Sequence, residues 1–132
     1  MRIFSAQECP QGSPFWWEVR RGLVTASQAN RILTPKTARP SAQADGLIDE
    51  LISDIVNPSP TWFSESLSRP PNKAIEDGIA REAEARKWFA LQYDADVTEV
   101  GFIRSDCGRT GCSPDGVLLE KNVGVEIKCP LL

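Results

Sequence analysis

The chain has 132 residues, 41% hydrophobic and 25% charged, which is enough for one domain (residues 1–132) around one modest core. It has no histidine, and Cys9, Cys107, Cys112 and Cys129 form no C-x-x-C pair, so histidine catalysis is excluded and a zinc site disfavoured. No run reaches membrane-span length, no basic-then-apolar leader opens the chain, and a net charge of −3 argues against indiscriminate DNA binding.

These features predict a cytoplasmic protein with free thiols and no membrane association; nothing in the sequence supports a Cys107–Cys112 bridge. The charge is uneven. Arg2, Arg20, Arg21, Arg31, Lys36 and Arg39 make the first 40 residues basic, while acids gather at 45–54 and 76–84.

Ser13-Pro14 opens a first helix, Phe15 to Arg21, with serine as N-cap, proline at the first helical position and Gly22 as the stop. Thr25-Ala26-Ser27-Gln28 fits a capping box, so a second helix is predicted from there to before Pro35. A third is predicted over Ala42 to Val56, with Leu47, Ile48, Leu51, Ile52 and Ile55 as its apolar stripe. Asn57-Pro58-Ser59-Pro60 breaks it, and the following loop carries Trp62 and Phe63, candidates for base stacking. Trp16, Trp17 and Trp88 are expected to pack helices.

A long helix is predicted from Pro71 to about Tyr93, with Ile75, Ile79, Phe89, Ala90 and Tyr93 as its apolar face. Glu82 falls inside that arc, where a lone carboxylate is costly, so it needs either Arg86 one turn on or a bound cation. Val97 to Arg104 reads as a strand, Ser105 to Arg109 as a turn. Val117-Leu118-Leu119 and Val123-Gly124-Val125 then flank the turn-like Glu120-Lys121-Asn122 as a hairpin. Helices first and strands late make the fold α+β.

Chemistry concentrates in that hairpin. Side chains two apart on a strand share a face, so Glu126 and Lys128 point one way and Ile127 the other. Pairing of the two arms would bring Asp115, in Ser113-Pro114-Asp115-Gly116, opposite them. Carboxylates held close repel unless a cation lies between them, and oxygen-only ligands suit Mg²⁺ or Mn²⁺. An isolated Glu-x-Lys is more often just a wet strand face; Pro-Asp-Gly ahead of it and Glu82 upstream favour the metal reading. A second candidate is the start of the second helix, where free N–H groups and the Ser27 hydroxyl could take a phosphate, with Arg20 as a bidentate clamp.

Four blocks in chain order carry a resemblance: Trp17-x-x-Arg20-x-Gly22-x-x-Thr25-Ala26-Ser27; Gly78-x-x-x-Glu82-x-x-Ala85-Arg86-x-x-Phe89; Gly111-Cys112-Ser113-Pro114-Asp115-Gly116; and Gly124-x-Glu126-x-Lys128-Cys129-Pro130. Together they resemble the phage lambda exonuclease family, also described as YqaJ-type viral recombinases, of the PD-(D/E)xK superfamily. The resemblance implies a restriction-endonuclease-like core of N-terminal helices, a long helix and a mixed sheet. It also implies an Mg²⁺-dependent exonuclease, with Mn²⁺ substituting, that degrades the 5′-ended strand of linear duplex DNA and leaves 3′ single strands for an annealing protein.

By the same resemblance Glu82, Asp115 and Glu126 are metal-binding acids, the Ile127 carbonyl is a further ligand, Lys128 is the catalytic lysine, and Arg20, Ser27 and Ser113 hold the 5′-phosphate. Family members form ring-shaped trimers and continue beyond the Glu-x-Lys strand. Because this sequence ends at Leu132, reduced activity and ring assembly are expected. The competing expectations are a non-catalytic protein that binds DNA ends or a recombination partner, and a sequence-specific endonuclease of the same superfamily.

Overall fold

The computed structural model describes residues 1–57 and 73–128, with side chains from residue 77 onward in the second segment. The predicted loop with Trp62 and Phe63, and Cys129 with the residues after it, lie outside the described residues. In chain order the elements are β1 (Arg2–Ser5), α1 (Pro14–Arg20), β2 (Val24–Thr25), a 3-10 turn (Ala26–Gln28), α2 (Ala29–Ile32), α3 (Ala44–Val56), α4 (Lys73–Tyr93), β3 (Val100–Arg104), β4 (Thr110–Cys112), β5 (Gly116–Leu118), a second 3-10 turn (Leu119–Lys121) and β6 (Val123–Val125). The fold is α+β.

The main sheet has four strands in the order β1-β3-β4-β2, antiparallel except for the parallel β2–β4 pair, and β5 with β6 forms a two-stranded hairpin. Two of its strands are therefore N-terminal, which corrects the expectation of a sheet built only from late strands. β2 is two residues long, too short to leave a period in the sequence. The predicted strand from Val97 begins at Val100, preceded by an isolated bridge at Thr98.

That bridge explains the sheet. Thr98 and Val117 exchange backbone hydrogen bonds of 2.9 and 2.8 Å. The pair lies five residues back from Ile103 and five on from Cys112, so it keeps the alignment of Ile103↔Cys112. β4 and β5 are thus two pieces of one strand running beside β3. The break falls at Ser113–Asp115, where Pro114 has no N–H for a ladder.

The core gathers Phe4, Cys9, Leu23 and Phe102, with Trp16 and Val19 of α1 packed against it. A Cβ on Gly101 would come within 1.8 Å of the Cys9 carbonyl oxygen, so only glycine lets that segment lie on β3. Helix α1 forms as expected: the Ser13 side chain accepts from the Trp16 amide at 3.2 Å, and Gly22 takes φ +65° to end it.

Three expectations change. The second helix is a 3-10 turn and a single α-helical turn, ending at Ile32 as Leu33 bridges Pro40. On α3 only Leu47 is buried, whereas Ile48, Ile52 and Ile55 are more than half exposed. On α4 the inward residues are Gly78, Glu82, Ala85, Arg86, Phe89 and Ala90, while Ile79 (61%), Trp88 (65%) and Tyr93 (62%) are exposed. Phe89 and Ala90, with Glu82 and Arg86 in the same arc, turn inward as expected, whereas Ile79 and Tyr93 do not, and the Ile75 side chain lies outside those described.

Candidate active site

The hairpin forms in the predicted pairing, with Gly116↔Val125, Val117↔Gly124 and Leu118↔Val123 in register. Asn122 closes its turn at φ +51°, a conformation asparagine tolerates. The ladder runs one step further. The Asp115 amide donates to the Val125 carbonyl at 3.0 Å, and Asp115 Oδ2 accepts from the Ile127 amide at 2.5 Å. Asp115 therefore stands level with Glu126, within the Glu126–Lys128 neighbourhood expected from the pairing of the two arms.

β6 ends at Val125, so the expected strand does not extend to Glu126 and Lys128, but their side chains form an ion pair. That bond raises the Lys128 ammonium above its usual range, helped by the charges of Glu126, Asp115 and Glu82. Glu82 reaches the same field from α4. Burial raises its carboxyl, the Asp115 charge adds to this, Arg86 and Lys128 oppose it, and Glu126 raises it further. Cys112 lies close enough for the Glu126 charge to act on its thiol, which is raised mainly by burial.

The structure thus gathers Glu82, Asp115, Glu126 and Lys128 in one electrostatic neighbourhood. It holds Asp115 on the Ile127 amide and Glu126 on Lys128. Among the described residues no three acidic or thiol side chains stand close enough together to hold one ion. Glu82 does not take Arg86 as its ion-pair partner: the Arg86 guanidinium bonds Glu99 at 3.0 Å. The sequence reading missed this ion pair, because Glu99 lies in the irregular segment between α4 and β3, where no period points to it.

A second cluster forms around Trp16, which the sequence offered only as a packing residue. Arg20, one turn on, lays its guanidinium 3.9 Å from the Trp16 ring centroid. The indole N–H donates to Ser113 Oγ at 2.9 Å and to the Gly101 carbonyl at 3.2 Å. The parallel β2–β4 pairing of Thr25 with Gly111 brings Ser27 to this end of the sheet, and Ser27 Oγ lies 3.1 Å from Thr25 Oγ1. Gln28 Oε1 accepts from both the Thr25 amide and the Thr25 hydroxyl at 3.0 Å, the back-reaching half of a capping box.

Arg20 is partly desolvated, which lowers its pKa, while the Cys9 charge opposes that shift. Next to it a cleft of about 450 Å³ runs between α1, the 3-10 turn and α3, lined by Trp17, Arg20, Thr25, Gln28, Glu50 and Leu51. Because α2 has one turn, few peptide dipoles add up behind Ser27. Arg20 and the hydroxyls, rather than a helix dipole, would carry anion binding there. Cys9, Cys107 and Cys112 are free thiols.

Residues 15–132 match the YqaJ-like viral recombinase domain. The chain belongs to that family. No curated protein matches the chain. Membership of the YqaJ-like family covers every candidate residue, from Arg20 to Lys128, and makes this a member of a phage recombination nuclease family. No helix among the described residues is long and apolar enough to cross a membrane.

Proposed function

We propose that this YqaJ-like chain is a metal-dependent deoxyribonuclease with a PD-(D/E)xK-type core. It would degrade the 5′-ended strand of linear duplex DNA in the 5′-to-3′ direction and leave 3′ single strands for recombination. The observation that carries this reading is Asp115 level with Glu126 across one hairpin, Lys128 beside them and Glu82 in the same field.

The donor set is all oxygen, which suits Mg²⁺, with Mn²⁺ as a substitute. Burial and the Asp115 charge both disfavour an ionised Glu82, a cost that a cation would offset. Glu82, Asp115 and Glu126, with the Ile127 carbonyl, would hold the ion only after drawing together, Asp115 giving up the Ile127 amide and Glu126 giving up Lys128. Bound there, Mg²⁺ supplies Lewis acidity toward the phosphodiester and a water of lowered pKa.

Lys128 would leave Glu126 to orient the attacking water or to balance charge growing on the phosphate. Arg20 would clamp the terminal 5′-phosphate, with Ser27 and Ser113 adding hydroxyl donors. A ring-shaped trimer and a single-strand annealing protein are the partners proposed by family analogy, in the cytoplasm of a bacterial or phage-infected cell.

The test is a linear 5′-phosphorylated duplex incubated with Mg²⁺. Release of nucleotides from 5′ ends, stopped by chelation, is the expected result, and Lys128→Ala should abolish release while metal-dependent DNA binding persists. Cutting of closed circles, or release unaffected by chelator, would overturn the exonuclease. The engagement of Asp115 with an amide and of Glu126 with Lys128 favours, as a second reading, a non-catalytic protein that binds DNA ends. End binding without Mg²⁺ and without any nucleotide release would identify it.

A further inference from the structure

Among the ion pairs of the described residues Arg86 is the most buried side chain, only 14% exposed, and it lies on the side of α4 that faces the candidate acids. Its guanidinium bonds Glu99 at 3.0 Å, and Glu99 is itself 61% exposed. Its Nε is buried and has no hydrogen-bond partner among the described residues. A buried guanidinium donor left unmade costs about 1–3 kcal/mol or more, so packing alone would be served better by an apolar residue.

The location supplies a reason. Arg86 stands one helical turn after Glu82. Its Cδ lies 3.7 Å from where a Cβ on Gly116 would project, so its stem passes over the residue next to Asp115. That same Cβ would come within 2.5 Å of Val97 Cγ1, so a side chain at 116 would crowd the ground the Arg86 stem crosses. Glu99, at the far end, sits between the Thr98 bridge and β3. One side chain therefore spans from the Glu82 turn of α4, across the Asp115 strand, to the strand pair that anchors both.

We propose that Arg86 is a positioning residue: tied to Glu99 and laid across Gly116, it sets the helical carboxylate of Glu82 against the hairpin carboxylate of Asp115. This rests on the nuclease reading above and deepens it. It assigns the residue that holds together two acids coming from different halves of the chain.

The test is Mn²⁺ binding by calorimetry on the full chain, with thermal melting as a control for folding. Removing a cation from beside a cation site would, by Coulomb repulsion alone, strengthen Mn²⁺ binding. If Arg86 positions Glu82, Arg86→Met instead weakens binding by about tenfold, as loss of a residue that orients ligands does. Arg86→Lys, which keeps a charge able to reach Glu99, recovers most of it.

Should Arg86→Met fail to fold, Glu99→Gln removes the anchor from the solvent side and is expected to weaken Mn²⁺ binding about threefold, below the range for a lost orienting partner. Unchanged or tighter binding in these variants would overturn the assignment while leaving the nuclease reading in place. Absence of Mn²⁺ binding by the unaltered chain would instead sink the nuclease reading, and this assignment with it.

Discussion

Two residues set the terms for the chemistry. Glu82 is raised by burial first and by Asp115 second. A carboxyl raised on folding weakens the metal-free fold while ionised, so stability rises as pH falls through its folded pKa toward the unfolded value. Glu82→Gln should therefore raise the melting temperature of the metal-free protein at neutral pH, and the gap should close as the solution is acidified. A gap that stays constant across a melting series against pH would show that Glu82 is not the group concerned. Mn²⁺ binding should fall on acidification at a higher pH than an ordinary carboxylate allows, because protons and metal compete for the same oxygens.

Arg20 is the second. It rests on Trp16, which also holds Ser113, so one indole connects the guanidinium and the hydroxyl proposed for the terminal phosphate. Arg20→Ala should reduce cleavage of 5′-phosphorylated ends by about tenfold or more, the scale of one charged hydrogen-bonded contact, and spare hydroxyl ends. Equal loss on both substrates in a rate comparison would remove Arg20 from an end-reading role.

At the scale of elements, the hairpin and the long helix fared differently in the sequence. The hairpin was legible because Val117, Val123 and Val125 flank a polar turn, and a period of two leaves only two faces to choose between. Helix α1 was legible from Ser13, Pro14 and Gly22, each of which acts within one turn. The inward face of α4 was legible only in part: Glu82, Phe89 and Ala90 turn inward as read, but Ile79 and Tyr93 do not. Its inner row of Gly78, Glu82, Ala85 and Arg86 is set by tertiary partners, Glu99 and the Asp115 strand, far along the chain. β2 and β1 were missed for the same reason, since a strand of two to four residues exists only through its partner.

Gly101 gives this scale its prediction. Gly101→Ala puts a methyl into the Cys9 backbone, which cannot step aside as a side-chain tip can. A loss of about 3 kcal/mol in urea unfolding is expected, the upper end of overpacking costs. A loss near zero would show that the Cys9 segment is free to lift off β3.

For the whole molecule, stability rests on few residues. Among the described residues the buried hydrophobics are Phe4, Cys9, Leu23, Leu47, Val100, Phe102 and Val117. Phe102 is fully buried and also lies against Gly111, where a Cβ would meet its ring at 2.3 Å. Phe102→Ala should cost about 3–5 kcal/mol, close to the whole stability of many domains, and leave the chain largely unfolded at room temperature by circular dichroism. A sharp, two-state melt well above room temperature would place the main stabilising contacts elsewhere.

The gap at Pro114 has a further consequence for how such a chain can change. Because the strand parts there, Asp115 leaves β3 and borrows its place from the opposing arm, so its address is counted in residues from Asn122. Inserting one residue within the second arm, between Val123 and Glu126, would turn the side chains beyond it through half a revolution and carry Glu126 to the reverse side of the ribbon. The connector from Leu119 to Asn122 can change length without that cost, whereas the spacing from Val123 to Glu126 cannot.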